Sequence, residues 1–241
     1  MTALILARHY LRATYRSKLS VLFSAIQPIM FLVLFGPLFA RSGVGSWDVL
    51  VPGLLVQLTL MSAGLAGFGI FIDQRFGVLE RLRVTPAGRT ALLLGRVLRD
   101  VVVLLVQAAL LLAIGFVLGL RAPLAGLLLG LALLVVLAIG LASLSYAIAL
   151  VMPDELFPPV ASTAVVPLML LSGALLPMSL APPWLDVLSR LTPFRYVVEA
   201  LRAFFAGSYG GAAVAWGMLA GLAFLVIGVA LGTRVFHREN A

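Results

Sequence analysis

The sequence predicts an all-α fold: a polytopic membrane protein with six transmembrane helices. Three observations carry this reading. Apolar residues fill 63% of the 241 positions, against about 45–50% in a soluble domain. The mean hydropathy is +1.16. The apolar residues are also gathered into runs that meet the roughly 20 residues needed to cross a ~30 Å hydrocarbon layer at ~1.5 Å per residue. Helices suit that solvent because each satisfies its own backbone hydrogen bonds. The loops left over are too short for a soluble catalytic domain, so residues 1–241 read as a single membrane domain.

Taken in order, the chain opens with an amphipathic stretch at 1–18. Arg8, Arg12 and Arg16 recur on one helical flank while Leu4, Ala7, Leu11 and Tyr15 share a neighbouring face, although Ile5 and Leu6 interrupt the split. A helix lying on the inner leaflet fits this pattern. Spans are predicted at 19–40, 50–72, 97–120, 124–150, 157–177 and 212–235. Only Arg121, Ala122 and Pro123 separate the third from the fourth, which makes those two antiparallel neighbours. Pro28, Pro37, Pro167 and Pro177 fall within or at the ends of the first and fifth spans and predict kinks there. Glycines spaced by four (Gly115 and Gly119, Gly126 and Gly130, Gly217 and Gly221, Gly228 and Gly232) predict close helix contacts, more within the chain than between copies.

The formal charge is +8, but the basic residues lie between apolar spans. They point to a membrane surface and exclude a nucleic-acid partner. The segments placed inside carry Arg8, Arg12, Arg16, Lys18, Arg75, Arg81, Arg83, Arg89, Arg96, Arg99, Arg234 and Arg238. The outside keeps Arg41, Arg121, Arg190, Arg195 and Arg202. Excess positive charge marks the cytoplasmic side, so both termini are expected there, in a multi-pass protein of the cell membrane. The absence of cysteine excludes disulfides and thiolate metal sites. No cleavable signal peptide is evident, so targeting falls to the first span.

Catalytic chemistry has little to work with. His9 and His237 lie outside the spans, so neither a Ser–His pair nor a His-ligated metal is expected within the membrane. The carboxylates divide between the inner side (Asp73, Glu80, Asp100, Asp154, Glu155, Glu239) and the outer (Asp48, Asp186, Glu199). None is expected mid-span, which counts against an ion-coupled carrier. The phosphate-cradling G-x-x-x-x-G-K-[ST] pattern is missing, since the lone lysine follows Ser17. The chain is therefore not expected to be an enzyme, and active transport would need another polypeptide's energy.

Two segments carry more pattern than a connector needs. Within the inner loop from Asp73 to Asp100, Phe76, Leu79 and Leu82 stand opposite Glu80, Arg81 and Arg83 until Thr85, Pro86 and Gly88 break the periodicity. This predicts a short helix on the cytoplasmic membrane face, suited to docking. The outer stretch from Ser172 to Gly207 is too polar for a span and too apolar for a free loop. Trp184, Leu185, Leu188 and Leu191 form one apolar stripe, Pro193 interrupts it, and Tyr196, Val197, Ala200 and Leu201 form another. Two short helices dipping into the outer leaflet are predicted, with Glu199 and Arg202 spaced to pair.

These segments, GVLERLRVTP (Gly77 to Pro86) with Arg89, Leu94 and Gly95, and Leu171 to Pro177 followed by Pro183-Trp184-Leu185 and LTPFRYVVEALR (Leu191 to Arg202), resemble the type-2 ABC-exporter membrane subunits, particularly the daunorubicin-resistance-like drug-exporter permeases. They cover about a quarter of the chain. Many relatives carry a further glutamate just before the inner-loop glycine, where this chain reads Asp73-Gln74-Arg75-Phe76-Gly77. The resemblance implies an amino-terminal interfacial helix at 1–18, a cytoplasmic coupling loop at 73–96 and an outer re-entrant region at 178–211. It also implies a cytosolic ABC ATPase partner that binds ATP and Mg, and a second permease copy, with no cofactor or metal in this chain.

On that pattern, ATPase coupling falls to Phe76, Leu79, Glu80, Arg81, Leu82 and Arg83. The outer gate or re-entrant turn falls to Pro177, Trp184, Pro193, Glu199 and Arg202. A path for a hydrophobic or amphipathic substrate (a drug-like molecule, a lipid or a lipid-linked glycan) is expected along Gln27, Phe31, Gln57, Met61, Phe68, Val165 and Met169, because a glutamine facing lipid is costly. The alternative is a nonenzymatic membrane scaffold or regulatory subunit.

Overall fold

Long apolar runs become long helices, and their ends follow the glycines and prolines. The computed structural model describes residues 26–27, 29–34, 36–37, 47–70, 89–153, 155–175 and 178–238. Within them lie α1 (Trp47–Gly64), α2 (Arg89–Leu118), α3 (Leu124–Val151), α4 (Phe157–Leu171), a 3₁₀ turn (Met178–Leu180), α5 (Pro183–Arg190), α6 (Pro193–Phe205) and α7 (Ala212–Arg238). Residues described between 26 and 37 are also helical, and the described residues contain no strand.

Four helical stretches are long and apolar enough to cross a bilayer: Trp47–Ile70, Leu93–Leu118, Leu124–Val151 and Ala212–Val235. They answer to the second, third, fourth and sixth predicted spans. The first falls largely outside the described residues, as do the interfacial helix at 1–18 and residues 73–88 of the inner loop. Residues 89–96, expected in that loop, belong to α2.

The fifth predicted span ends early. α4 has 15 residues and a length of about 22 Å at the helical rise. It stops because Gly173 takes a left-handed φ of 71°, and because the Ser172 hydroxyl donates back to the Met169 carbonyl at 2.6 Å and accepts from the Ala174 amide at 3.3 Å. Local hydrogen bonding of this kind competes with helix continuation.

Elsewhere the punctuation is as expected. At the α2–α3 turn, Gly119 has φ 111°, the Leu120 amide bonds to the Gly115 carbonyl and the Gly119 amide to that of Phe116. This is the paired bonding of a left-handed helix end. Proline starts both α5 and α6, where its missing N–H is no loss.

Glycine determines how closely the helices meet. A Cβ at Gly228 of α7 would overlap the carbonyl of Gly140 in α3, and one at Gly126 of α3 would overlap the Phe204 carbonyl of α6. The predicted small-residue contacts are therefore used within the chain. α1 sits at the centre, packed against α2, α3, α4 and α6, with Leu54, Leu55 and Leu60 buried beside Leu104, Leu111, Leu134 and Leu137. α7 turns Trp216, Leu219, Leu222 and Val226 outward, as a lipid-facing helix does.

Candidate functional site

Of the expected substrate-path residues, Gln57 and Met61 lie on α1 and Val165 and Met169 on α4, two helices that pack together. A Cβ at Gly53 would strike the Ala174 backbone, and one at Gly64 would lie 3.3 Å from Val165. α1 and α4 thus run antiparallel along one face of α1. Gln57 and Met61 fall between those glycines on the same arc of the helix. Met169 and Val165 are buried, Met61 is half-buried, and Phe68 meets Phe157 edge-on at 5.5 Å. Phe31 packs partly buried against the same core, whereas Gln27 is exposed.

Gln57 is 1% exposed, and both its amide oxygen and nitrogen lack a hydrogen-bond partner among the described residues. It is an amide enclosed in an apolar seam. Leaving such a group unpaired costs about 1–3 kcal/mol.

After α4, the 3₁₀ turn, α5 and α6 border an open cavity of about 630 Å³ lined by Met178, Ala181, Pro183, Asp186, Arg190, Arg195, Glu199 and Arg202. Arg195 is its hub. It bonds Asp186 at 2.6 Å, Glu199 at 2.8 Å and the Ser189 hydroxyl at 2.6 Å. Arg190 adds a pair to Asp186 at 2.7 Å. The Arg195 hydrogen bond, followed by that of Arg190, lowers the Asp186 carboxyl below its ordinary range despite some desolvation. On Arg195, desolvation works to lower the guanidinium, but the bonds to Glu199 and Asp186 outweigh it and raise it.

Glu199 thus makes its ion pair with Arg195, one turn earlier, and not with Arg202, the partner that its spacing predicts. Arg202 is used differently. Its guanidinium donates to the Val49 carbonyl at 3.1 Å and the Gly173 carbonyl at 2.8 Å. It thereby ties α6 to the start of α1 and to the turn after α4. Burial pushes it down to about 10, offset in part by the Glu199 charge, so it stays charged at neutral pH. Pro193 begins α6 half-buried, and Trp184 is 67% exposed. With Val187, Leu188 and Leu191 also exposed, α5 presents an apolar face that no described residue covers. Pro177 and the expected coupling residues Phe76, Leu79, Glu80, Arg81, Leu82 and Arg83 lie outside the described residues.

One carboxylate departs from expectation. Asp100 was placed at the inner mouth of the third span, but α2 begins earlier, so Asp100 stands seven residues, about 10 Å, inside the stretch that starts at Leu93. It is held there by the hydroxyl of Tyr146 in α3 and by Arg99 at 2.6 Å. The missed signal is Tyr146 itself. It is a polar aromatic in a largely apolar span, and a buried phenol needs a partner.

A bundle of apolar helices, four of them long enough to cross a bilayer, defines a membrane-embedded domain. The chain belongs to the ABC-2 type transporter family, whose model matches residues 2–206. It is a transport permease subunit of that family. It is 27% identical over 203 residues to a putative transport permease, ycf38, of Cyanophora paradoxa, covering 80% of this chain and 70% of that protein. It is 28% identical over 227 residues to the daunorubicin resistance ABC transporter permease protein DrrB1 of Streptomyces coeruleorubidus, covering 92% and 79%.

Proposed function

We propose that this chain is the permease of an ATP-driven exporter that moves a hydrophobic or amphipathic, drug-like substrate outward across the cell membrane. Lipids and lipid-linked glycans belong to the same chemical class. The observation that carries the proposal is the family match over residues 2–206, and the likeness to a permease named for daunorubicin resistance favours a drug-like cargo.

Energy comes from a separate cytosolic ABC ATPase that binds ATP and Mg. The segment Phe76 to Val84 docks on it, and a second copy of this chain completes the membrane part. Both termini face the cytoplasm. The α1–α4 seam is the substrate path. Its apolar lining supports selection by shape and dispersion, with Gln57 as its polar contact. The uncovered apolar face of α5 supports a re-entrant position in the outer leaflet, and the Arg195 and Arg202 networks support an outer gate.

Co-purification with the cognate ATPase tests the reading. The wild-type chain is expected to retain the ATPase and to show ATP-dependent solute movement in liposomes. Leu82→Asp is expected to lose both while remaining in the membrane. A Leu82→Asp variant that still holds the ATPase and transports would refute the docking assignment, and a wild-type pair that moves no solute would favour a scaffold.

A further inference from the structure

The apolar span Trp47–Ile70 is not one continuous α-helix. After Gly64 the backbone tightens: the amides of Ala66, Phe68, Gly69 and Ile70 reach the carbonyls three residues back, at 3.3, 3.1, 2.9 and 3.0 Å. In an α-helix, the Gly64 carbonyl would take the Phe68 amide and the Gly67 amide would reach Ala63. Both partners are diverted here, the first to Leu65 and the second to Ala66. Two backbone groups are thus released inside the bundle, where an unpaired group is costly.

One side chain satisfies both. The Ser145 hydroxyl of α3 donates to the Gly64 carbonyl at 2.7 Å and accepts from the Gly67 amide at 2.9 Å. The approach is close: a Cβ on Gly67 would lie 2.7 Å from the Ser145 carbonyl and 2.8 Å from the Ala149 Cβ. A tightened turn within a long helix is where a hinge is expected, and this one is pinned from the side by a neighbouring helix.

The next residue does the same for α2. Tyr146 is fully buried and its hydroxyl donates to Asp100, whose other carboxylate oxygen takes two bonds from Arg99, at 3.0 and 2.6 Å. A buried carboxylate within a span is costly and is retained where it has a task. Adjacent residues of one helix project about 100° apart, so Ser145 and Tyr146 reach two different neighbours from one level of α3. Those neighbours are the helix that enters the inner segment 71–88 and the helix that leaves it.

We infer that Ser145 and Tyr146 are positioning residues that transmit displacement of the inner segment to α3, by holding the Gly64–Gly67 break on one side and Asp100 on the other. A push on the segment reaches α1 and α2 together. Because both are tied at one level of α3, the three helices move as a unit below the break while α1 bends at it. α3 passes the displacement to α7, which it meets backbone to backbone at Gly140 and Gly228. This rests on the docking role proposed for the inner segment.

Ser145→Ala and Tyr146→Phe each remove one oxygen atom, and Asp100→Asn keeps an acceptor for the tyrosine hydroxyl. Each is tested as the full chain with its cognate ATPase in liposomes, measuring bound ATPase, ATP hydrolysis and solute moved. The expected result is retained ATPase and continued hydrolysis, with solute moved per ATP falling about tenfold in Ser145→Ala and Tyr146→Phe and less in Asp100→Asn. An unchanged ratio in both single-oxygen variants overturns the inference. So does a parallel loss of bound ATPase, hydrolysis and transport, which marks a purely structural role. A wild-type complex that moves nothing with ATP overturns the exporter reading itself, and the transmission role with it.

Discussion

The two ends of the bundle hold their helices together by different chemistry. Around α5 and α6, charge meets opposite charge beside an open cavity. Asp186, Arg190, Arg195 and Glu199 form a chain of ion pairs, and Arg202 reaches the backbone carbonyls of Val49 and Gly173. At the α2–α3–α1 level near Asp100, two hydroxyls join three helices, beside the Arg99–Asp100 ion pair. The open network has water as an alternative partner, so most of its ion pairs are replaceable. The other is more enclosed, with Tyr146 and Ser145 buried, and a single hydroxyl decides whether two backbone groups are satisfied. The gate proposed for this chain rests on the first arrangement, and the inferred joint rests on the second.

Arg202→Ala should strike hardest, because it removes a guanidinium that joins α6, the start of α1 and the turn after α4. The expected loss is about 1.5–3 kcal/mol, the range for hydrogen bonds to a charged group, visible as a lower unfolding temperature in detergent. Arg202→Lys should recover only part, since an ammonium lacks the planar fork. A change near zero would mean that the outer end is held by its ion pairs after all.

Tyr146→Phe is expected to cost about 1–2 kcal/mol, by leaving Asp100 with one fewer donor. Gln57→Leu has the opposite sign. Replacing an unpaired buried amide with an apolar side chain of similar size should raise stability by about 1 kcal/mol, and lowered stability would show that the amide has a partner in the assembled protein.

Acidification should have the smallest effect. The Asp186 carboxyl is lowered in the folded protein, so its contribution is complete above the ordinary carboxylate range and fades only as pH falls through the lowered value. The stability difference between wild type and Asp186→Asn should therefore be constant from pH 8 to 5 and shrink below about pH 4. High salt should trim the same difference by screening.

Much of this architecture was legible from hydropathy. The second, third, fourth and sixth spans and the two short helices after Met178 stand within a few residues of expectation, because long apolar runs and proline starts are local signals. What escaped depends on distant partners. Gly173 and Ser172 end α4 by bonding to their own turn. Asp100 is drawn into the bilayer stretch by a tyrosine 46 residues away, which a windowed average does not register. Glu199 had two arginines within one turn, and only the carbonyls of Val49 and Gly173 decide that Arg202 is engaged elsewhere. Gln57 was recognisable as a path residue by type, but its unpaired state is a property of the packed α1–α4 seam.

The most direct test is transport in sealed inside-out vesicles that hold this chain with its cognate ATPase, using a fluorescent anthracycline as the probe. The account predicts uptake on addition of ATP and Mg, abolished when the ATPase cannot hydrolyse ATP and absent when this chain is omitted. Uptake that persists without the ATPase, or that follows an ion gradient with no nucleotide present, would contradict it.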